Sequence, residues 1–152
     1  MRTIIAVRNL KEKGKTPTLK RLRGLLDEKI EVISENIDEH GDIFLIAKVK
    51  NTDIIIGVGS HGDIELRLKR DIEEMVDNGC SIIICAVRCN LKLGCSREEM
   101  IEKFAQEHNY QVIWLSNYTT DESDITHEEL NSIQAKNLLY LIDCLVDKQI
   151  KQ

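Results

Sequence analysis

Aromatic residues make up only 4% of this chain, so it offers few flat faces on which the bases of a single-stranded nucleic acid could stack. The five cysteines, Cys80, Cys85, Cys89, Cys95 and Cys144, are odd in number and include no C-x-x-C pair. Neither a disulfide framework nor a zinc knuckle is written in that spacing. Cys80 and Cys85 lie in or beside an apolar run and read as small hydrophobes, whereas Cys89 and Cys95 flank a loop and read as exposed thiols. No stretch approaches the ~20 consecutive apolar residues that a membrane-spanning helix needs. The N-terminus has Arg2 and then strand-like residues, with no signal-peptide pattern, so a cytoplasmic location is expected. Internal repeats, low-complexity tracts and linkers are also missing. The 152 residues are therefore expected to form one domain, 1–152, long enough to bury a single core.

Charge, by contrast, is plentiful and unevenly placed. Charged residues make up 31% of the chain and hydrophobic residues 42%, the balance of an ordinary globular protein. The formal net charge is -5, but residues 1–23 hold eight Lys or Arg against one Glu, a net +7 that leaves -12 for the remainder. A basic segment on an acidic body suits a small polyanion such as a nucleoside triphosphate. A long nucleic acid backbone would be repelled over most of the surface.

That basic segment carries the most informative pattern. From Thr3 to Leu26 the chain reads as a buried β-branched strand, a lysine-rich loop ending in Gly14-Lys15-Thr16, and an amphipathic helix. The octet Asn9-Leu10-Lys11-Glu12-Lys13-Gly14-Lys15-Thr16 matches the end of G-x-x-x-x-G-K-[ST], with Asn9 where the first glycine would stand. Asn tolerates positive φ better than most residues. Pro17 also suits the first helical turn, where its missing N–H costs little. In this layout the chain resembles the P-loop NTPase superfamily with a degenerate Walker A motif. The resemblance implies a phosphate cradle formed by Asn9, Lys13, Gly14, Lys15, Thr16, Pro17 and Thr18, with ATP and Mg²⁺ as cofactors. It further implies that Lys15 bridges the β- and γ-phosphates and that Thr16 ligates Mg²⁺. A plain alternative is a lysine-rich surface turn that happens to spell GKT.

Further along, Leu19, Leu22, Leu25 and Leu26 repeat at helical spacing in a helix over about 16–27. Segments 30–33 and 43–49 have strand character, separated by the acidic, polar stretch 34–42. A tight turn at 50–53 leads into a strand over 53–58, so a β-meander is expected. Gly57-Val58-Gly59-Ser60-His61-Gly62-Asp63 follows, and three glycines in six residues point to close backbone approach or to a turn needing positive φ. In P-loop proteins a strand of this kind ends in the acid that orders Mg²⁺ or the attacking water. Asp63 is the candidate for that role; alternatively Ser60 or Asp63 caps the next helix. His61 reads as a solvated loop histidine, with a phosphate contact or a base as the other options.

A helix over 64–78 presents Ile64, Leu68, Ile72, Met75 and Val76 on one face, stops at Gly79 and leaves its charges in water. The apolar run from Cys80 to Val87 has the signature of a central parallel strand covered on both sides. Beside the first strand, it would bring the cationic loop 88–97 to the phosphate-binding edge. Arg88, with Arg97 second, is then the candidate to neutralise charge on a transferring phosphoryl group; a structural ion pair is the alternative for Arg88. Ser96-Arg97-Glu98-Glu99 reads as a capping box, 110–115 as the last strand, and Thr126-His127-Glu128-Glu129 as a second capping box with an Ile125 to Leu130 staple. The long helix it opens carries an apolar stripe including Leu130, Ile133, Leu138 and Ile142, to be buried on the sheet or in a homodimer.

These elements describe an α/β three-layer sandwich around a mainly parallel sheet with one antiparallel hairpin, as in compact P-loop folds. The expected function is that of a small ATP-binding P-loop protein, a phosphotransferase or an ATPase, with Lys15, Asp63 and Arg88 catalytic and Thr16 and Asp63 holding the metal. One alternative is a catalytically inactive P-loop fold acting as a sensor or protein-interaction subunit. Another is an unrelated α/β module that binds a different ligand at 57–63.

Overall fold

In a computed structural model, residues 1–9, 15–62, 65–88, 96–118 and 124–152 are described, the side chains of Asn9, Lys15 and Thr16 excepted. The elements follow as β1 (Arg2–Asn9), α1 (Lys15–Leu26), β2 (Ile30–Ile37), β3 (Ile43–Val49), β4 (Ile55–Gly59), α2 (Glu65–Asp77), β5 (Cys80–Arg88), α3 (Ser96–His108), β6 (Tyr110–Ser116) and α4 (His127–Ile150). The six strands form one mixed sheet in the order β2-β3-β4-β5-β1-β6. Strands β4, β5, β1 and β6 run parallel, and β2, β3 and β4 form the antiparallel meander.

Connection handedness explains where the helices lie. The crossovers β4-α2-β5 and β5-α3-β6 step across the sheet in one direction, whereas β1-α1 leads toward β4 in the opposite direction. Right-handed crossovers therefore put α2 and α3 on one face and α1 on the other. The packing agrees. Ile5, Val7, Ile82 and Ile84 meet α1 and α4 in one core, while Ile4, Ala6, Ile83 and Cys85 meet α2 and α3 in the second. Successive residues of β1 and β5 thus feed opposite cores, which is why both strands are apolar without alternation.

Local signals hold at several boundaries. Gly79 stops α2 with φ of 80°, a left-handed conformation that glycine adopts without steric cost. Thr126 caps α4, its side chain accepting a hydrogen bond from the Glu129 N–H. Ser96 departs from its expected role: it is the first residue of α3, and its hydroxyl donates to Glu65 Oε2 at 3.2 Å. Strand β2 reaches Ile37 rather than ending near Ile33, because backbone pairing to β3 carries it through the polar residues, with a register shift between Val32 and Ser34. As an edge strand it buries only Ile30. Leu25, expected on the apolar face of α1, is exposed, while Leu19, Leu22 and Leu26 are buried. In α4, Leu138, Ile142, Leu145 and Val146 bury against this chain's own sheet and α1, and Ile133 stays exposed. No helix among the described residues is long and apolar enough to cross a membrane.

Burial pushes the thiols of Cys80 and Cys85 up to about 12, so neither supplies a nucleophilic thiolate near neutral pH. Iodoacetamide at pH 8 should leave both unmodified in the folded protein and label both in denaturant. Labelling of either at the rate of a free thiol in the native state would contradict this packing.

Candidate functional site

Parallel strands β4, β5, β1 and β6 all end at the same edge of the sheet. Because β3 is antiparallel to β4, with Phe44 opposite Gly59, the β2–β3 hairpin turns at this edge too. Between β1 and β5 the direction of winding changes: the helix after β1 covers one face and the helix after β5 the other. In open α/β sheets such a switch point leaves a crevice outside the strand ends. The register places Asn9 beside Arg88 on the two sides of it.

The segments leaving those two ends are 10–14 and 89–95. Lys13, Gly14 and Asp63 lie outside the described residues, so the structure bears on Asn9, Lys15 and Thr16 only through backbone: Asn9 ends β1, and α1 begins at Lys15. Pro17 is exposed on the first turn of α1. Thr18 points inward; its buried hydroxyl lies 3.2 Å from Asn117 Oδ1 and 3.1 Å from Asn131 Oδ1, tying α1 to the end of β6 and the start of α4. Arg88 is half-buried, and its carbonyl accepts a hydrogen bond from Arg97 Nη1 at 3.1 Å.

Two strands in from β2, the end of β4 is built differently from its sequence reading. His61 is not a solvated loop residue. It is 7% exposed, with Nδ1 2.8 Å from Asp71 Oδ2 and Nε2 3.0 Å from Asp38 Oδ2. Asp71, on the face of α2 expected in water, is buried with it. Ser60 is likewise no helix cap: its hydroxyl donates to Asp42 Oδ1 at 2.9 Å and accepts from the Ile43 N–H at 2.8 Å. Asp38 opens the hairpin turn, and its Oδ1 accepts from the N–H groups of His40 and Asp42 at 2.9 and 3.0 Å. Gly41 completes the turn with φ of 82°. One oxygen of Asp38 is thereby held by backbone, and the other is aimed at His61.

The two carboxylates flanking the imidazole respond in opposite directions. The hydrogen bond from His61 holds Asp38 below the usual carboxylate range, whereas burial raises Asp71, more than its contact with His61 lowers it. Asp38, Asp42 and His61 each direct one ligand atom into a common space, all within 4.8 Å of one another. Imidazole nitrogen and carboxylate oxygen together are donors that divalent ions accept. Sequence reading missed this cluster, since only Ser60 and His61 stood out, at the end of a strand.

The three glycines here are explained by the protein itself, and none of them needs positive φ. A Cβ on Gly57 would stand 2.6 Å from Met75 Sδ, and one on Gly62 would stand 2.1 Å from the Ala86 carbonyl oxygen. Gly62 therefore lets the 60–62 segment lie on the end of β5, where its carbonyl accepts the Arg88 N–H at 3.3 Å.

Fold and site together define an α/β protein whose winding reverses between β1 and β5, with a buried histidine–aspartate cluster at the end of β4. No family model, curated protein or solved structure compared with the chain gives a significant match.

Gly62→Ala should destabilise the fold by about 1–3 kcal/mol, because the clash is with backbone that cannot swing aside. Gly24→Ala, in α1 with nothing within 4 Å of its would-be Cβ, should instead stabilise by about 0.5–1 kcal/mol. Urea melts of the two variants check both signs; equal midpoints would contradict the close approach at Gly62.

Proposed function

We propose that this protein binds a nucleoside triphosphate, ATP with Mg²⁺, at the β1/β5 crevice and acts as a small P-loop phosphotransferase or ATPase. The observation that carries this reading is positional: the chain from Asn9 to Thr16 leaves the sheet at its topological switch point and enters α1 at Lys15. That is where a glycine-lysine-threonine run has a helix N-terminus and adjacent backbone N–H groups available for phosphate.

In this reading Gly14 admits the phosphate, Lys15 binds the β- and γ-phosphates, and Thr16 with Asp63 holds Mg²⁺, which neutralises charge on the phosphates when bound. Asn9 and Lys13 line the cradle, and Pro17 and Thr18 shape the first turn of the helix. Arg88, register partner of Asn9, is the residue assigned to stabilise charge on the transferring group. Such chemistry is mostly positioning and electrostatics, which these residue types supply. The Thr18 contacts with Asn117 and Asn131 favour a structural part for that side chain within the site.

A second reading is a catalytically inactive P-loop fold serving as a sensor or protein-interaction subunit. It draws on α4, which leaves Ile133 43%, Tyr140 73% and Ile150 58% exposed.

The thermal midpoint with and without millimolar ATP and Mg²⁺ tests the cradle. At ~100 times the dissociation constant the ligand adds ~2.7 kcal/mol to the native state, a shift of several degrees for a chain of this length. The shift should vanish in Lys15→Ala with the unliganded midpoint unchanged. Equal shifts in wild type and variant would exclude this cradle, and phosphate release then separates turnover from binding alone.

A further inference from the structure

The proposed nucleotide site does not use the Asp38–Asp42–His61 cluster, and its geometry asks for a cation. His61 Nδ1 faces Asp71 Oδ2 at 2.8 Å. Nε2 faces Asp38 Oδ2, 3.0 Å away; in the tautomer whose Nδ1–H donates to Asp71, the Nε2 lone pair is open to a cation that Asp38 also reaches. Asp42 brings an oxygen into the same space, within 4.8 Å of both other ligand atoms. A divalent ion with bonds of about 2.1 Å at near right angles spans about 3.0 Å between two ligands, and opposite ligands lie about 4.2 Å apart. The 3.0 Å between His61 Nε2 and Asp38 Oδ2 matches the first of these spacings.

The surroundings match what a metal ligand set requires. Asp71 orients the imidazole from α2, as a carboxylate behind a metal-bound histidine does. Asp38 Oδ1 is held by two backbone N–H groups, and the Ser60 hydroxyl donates to Asp42. The ligands come from the hairpin and from the end of β4, and the side chain of His61 is 6% exposed and that of Asp38 18%. Arg67 Nη2, 3.9 Å from Asp38 Oδ2, lies at the rim.

We propose that Asp38, Asp42 and His61 bind a divalent first-row transition ion, of the zinc or manganese class, with Asp71 as the positioning residue for His61. One nitrogen and two oxygens suit such an ion better than Ca²⁺, which takes oxygen ligands throughout. Three protein ligands leave at least one coordination position for water or a bound oxygen anion. This assignment does not depend on the Lys15 cradle.

Titration of chelator-stripped protein with Co²⁺ alone, with no nucleotide, tests the assignment. Wild type should develop visible ligand-field bands with no thiolate charge-transfer band, and zinc should displace them. His61→Gln and Asp38→Asn should lose the bands. Asp71→Asn should weaken binding about 10–100-fold, whereas Glu39→Gln on the same hairpin and Lys15→Ala should bind as wild type does. Should His61→Gln not fold, Asp38→Asn and Asp42→Asn decide. Absence of bands, a thiolate band marking the cysteines as ligands, or undiminished binding in these variants would overturn the proposal and leave His61 as a buried histidine held between two carboxylates. A lost ATP shift in Lys15→Ala with Co²⁺ binding intact separates this site from the nucleotide reading.

Discussion

Strand β5 is the constraint on which the rest of the architecture depends. It lies between β4 and β1 and pairs with both, so its backbone donors and acceptors are satisfied on each side. Its side chains from Ile82 to Val87 are buried in two separate cores. A strand enclosed in this way must be apolar at every position and must be parallel to neighbours that reach it through helical crossovers. Once it is central, right-handed crossovers dictate the faces on which α1, α2 and α3 pack, and the winding must reverse beside it.

In open α/β sheets such a reversal leaves a crevice outside the strand ends, and the antiparallel meander lies beside that place. Because β3 runs against β4, the hairpin turn at 38–42 arrives at the edge where the parallel strands end. Its carboxylates meet a histidine that follows β4, and α2 closes the arrangement from behind with Asp71. Dense polar contacts in a largely buried place hold three elements in one geometry: the hairpin, the end of β4 and the first half of α2. Gly62 allows this block to rest on the end of β5, so the cluster and the crevice share one rigid support.

The chain's charge distribution acquires a spatial meaning from this layout. The basic segment 1–23 includes β1 and most of α1, whereas Asp38, Asp42 and Asp71 gather at the end of β4, one strand beyond β5.

Much of the scaffold was legible in the amino-acid order, for local reasons. The uninterrupted apolar run at 80–87, the glycine after α2, the threonine cap of α4 and the meander of 43–59 each reflect forces acting over a few residues: burial period, left-handed backbone, capping and turn formation. Leu25 and the far end of β2 were harder to read, since there long-range packing and backbone pairing outweighed periodicity and polarity. The histidine cluster was not legible at all. Asp38 and His61 are 23 positions apart and His61 and Asp71 ten, on a hairpin, a strand end and a helix, and no pattern within any of these elements marks its charged residue as buried. By itself, then, the sequence determined the α/β class, the central strand and the basic strand–loop–helix start, because local burial patterns suffice for those. Only the tertiary structure decided which polar side chains share a low-dielectric space, because that depends on which strand ends the crossovers bring to the same edge.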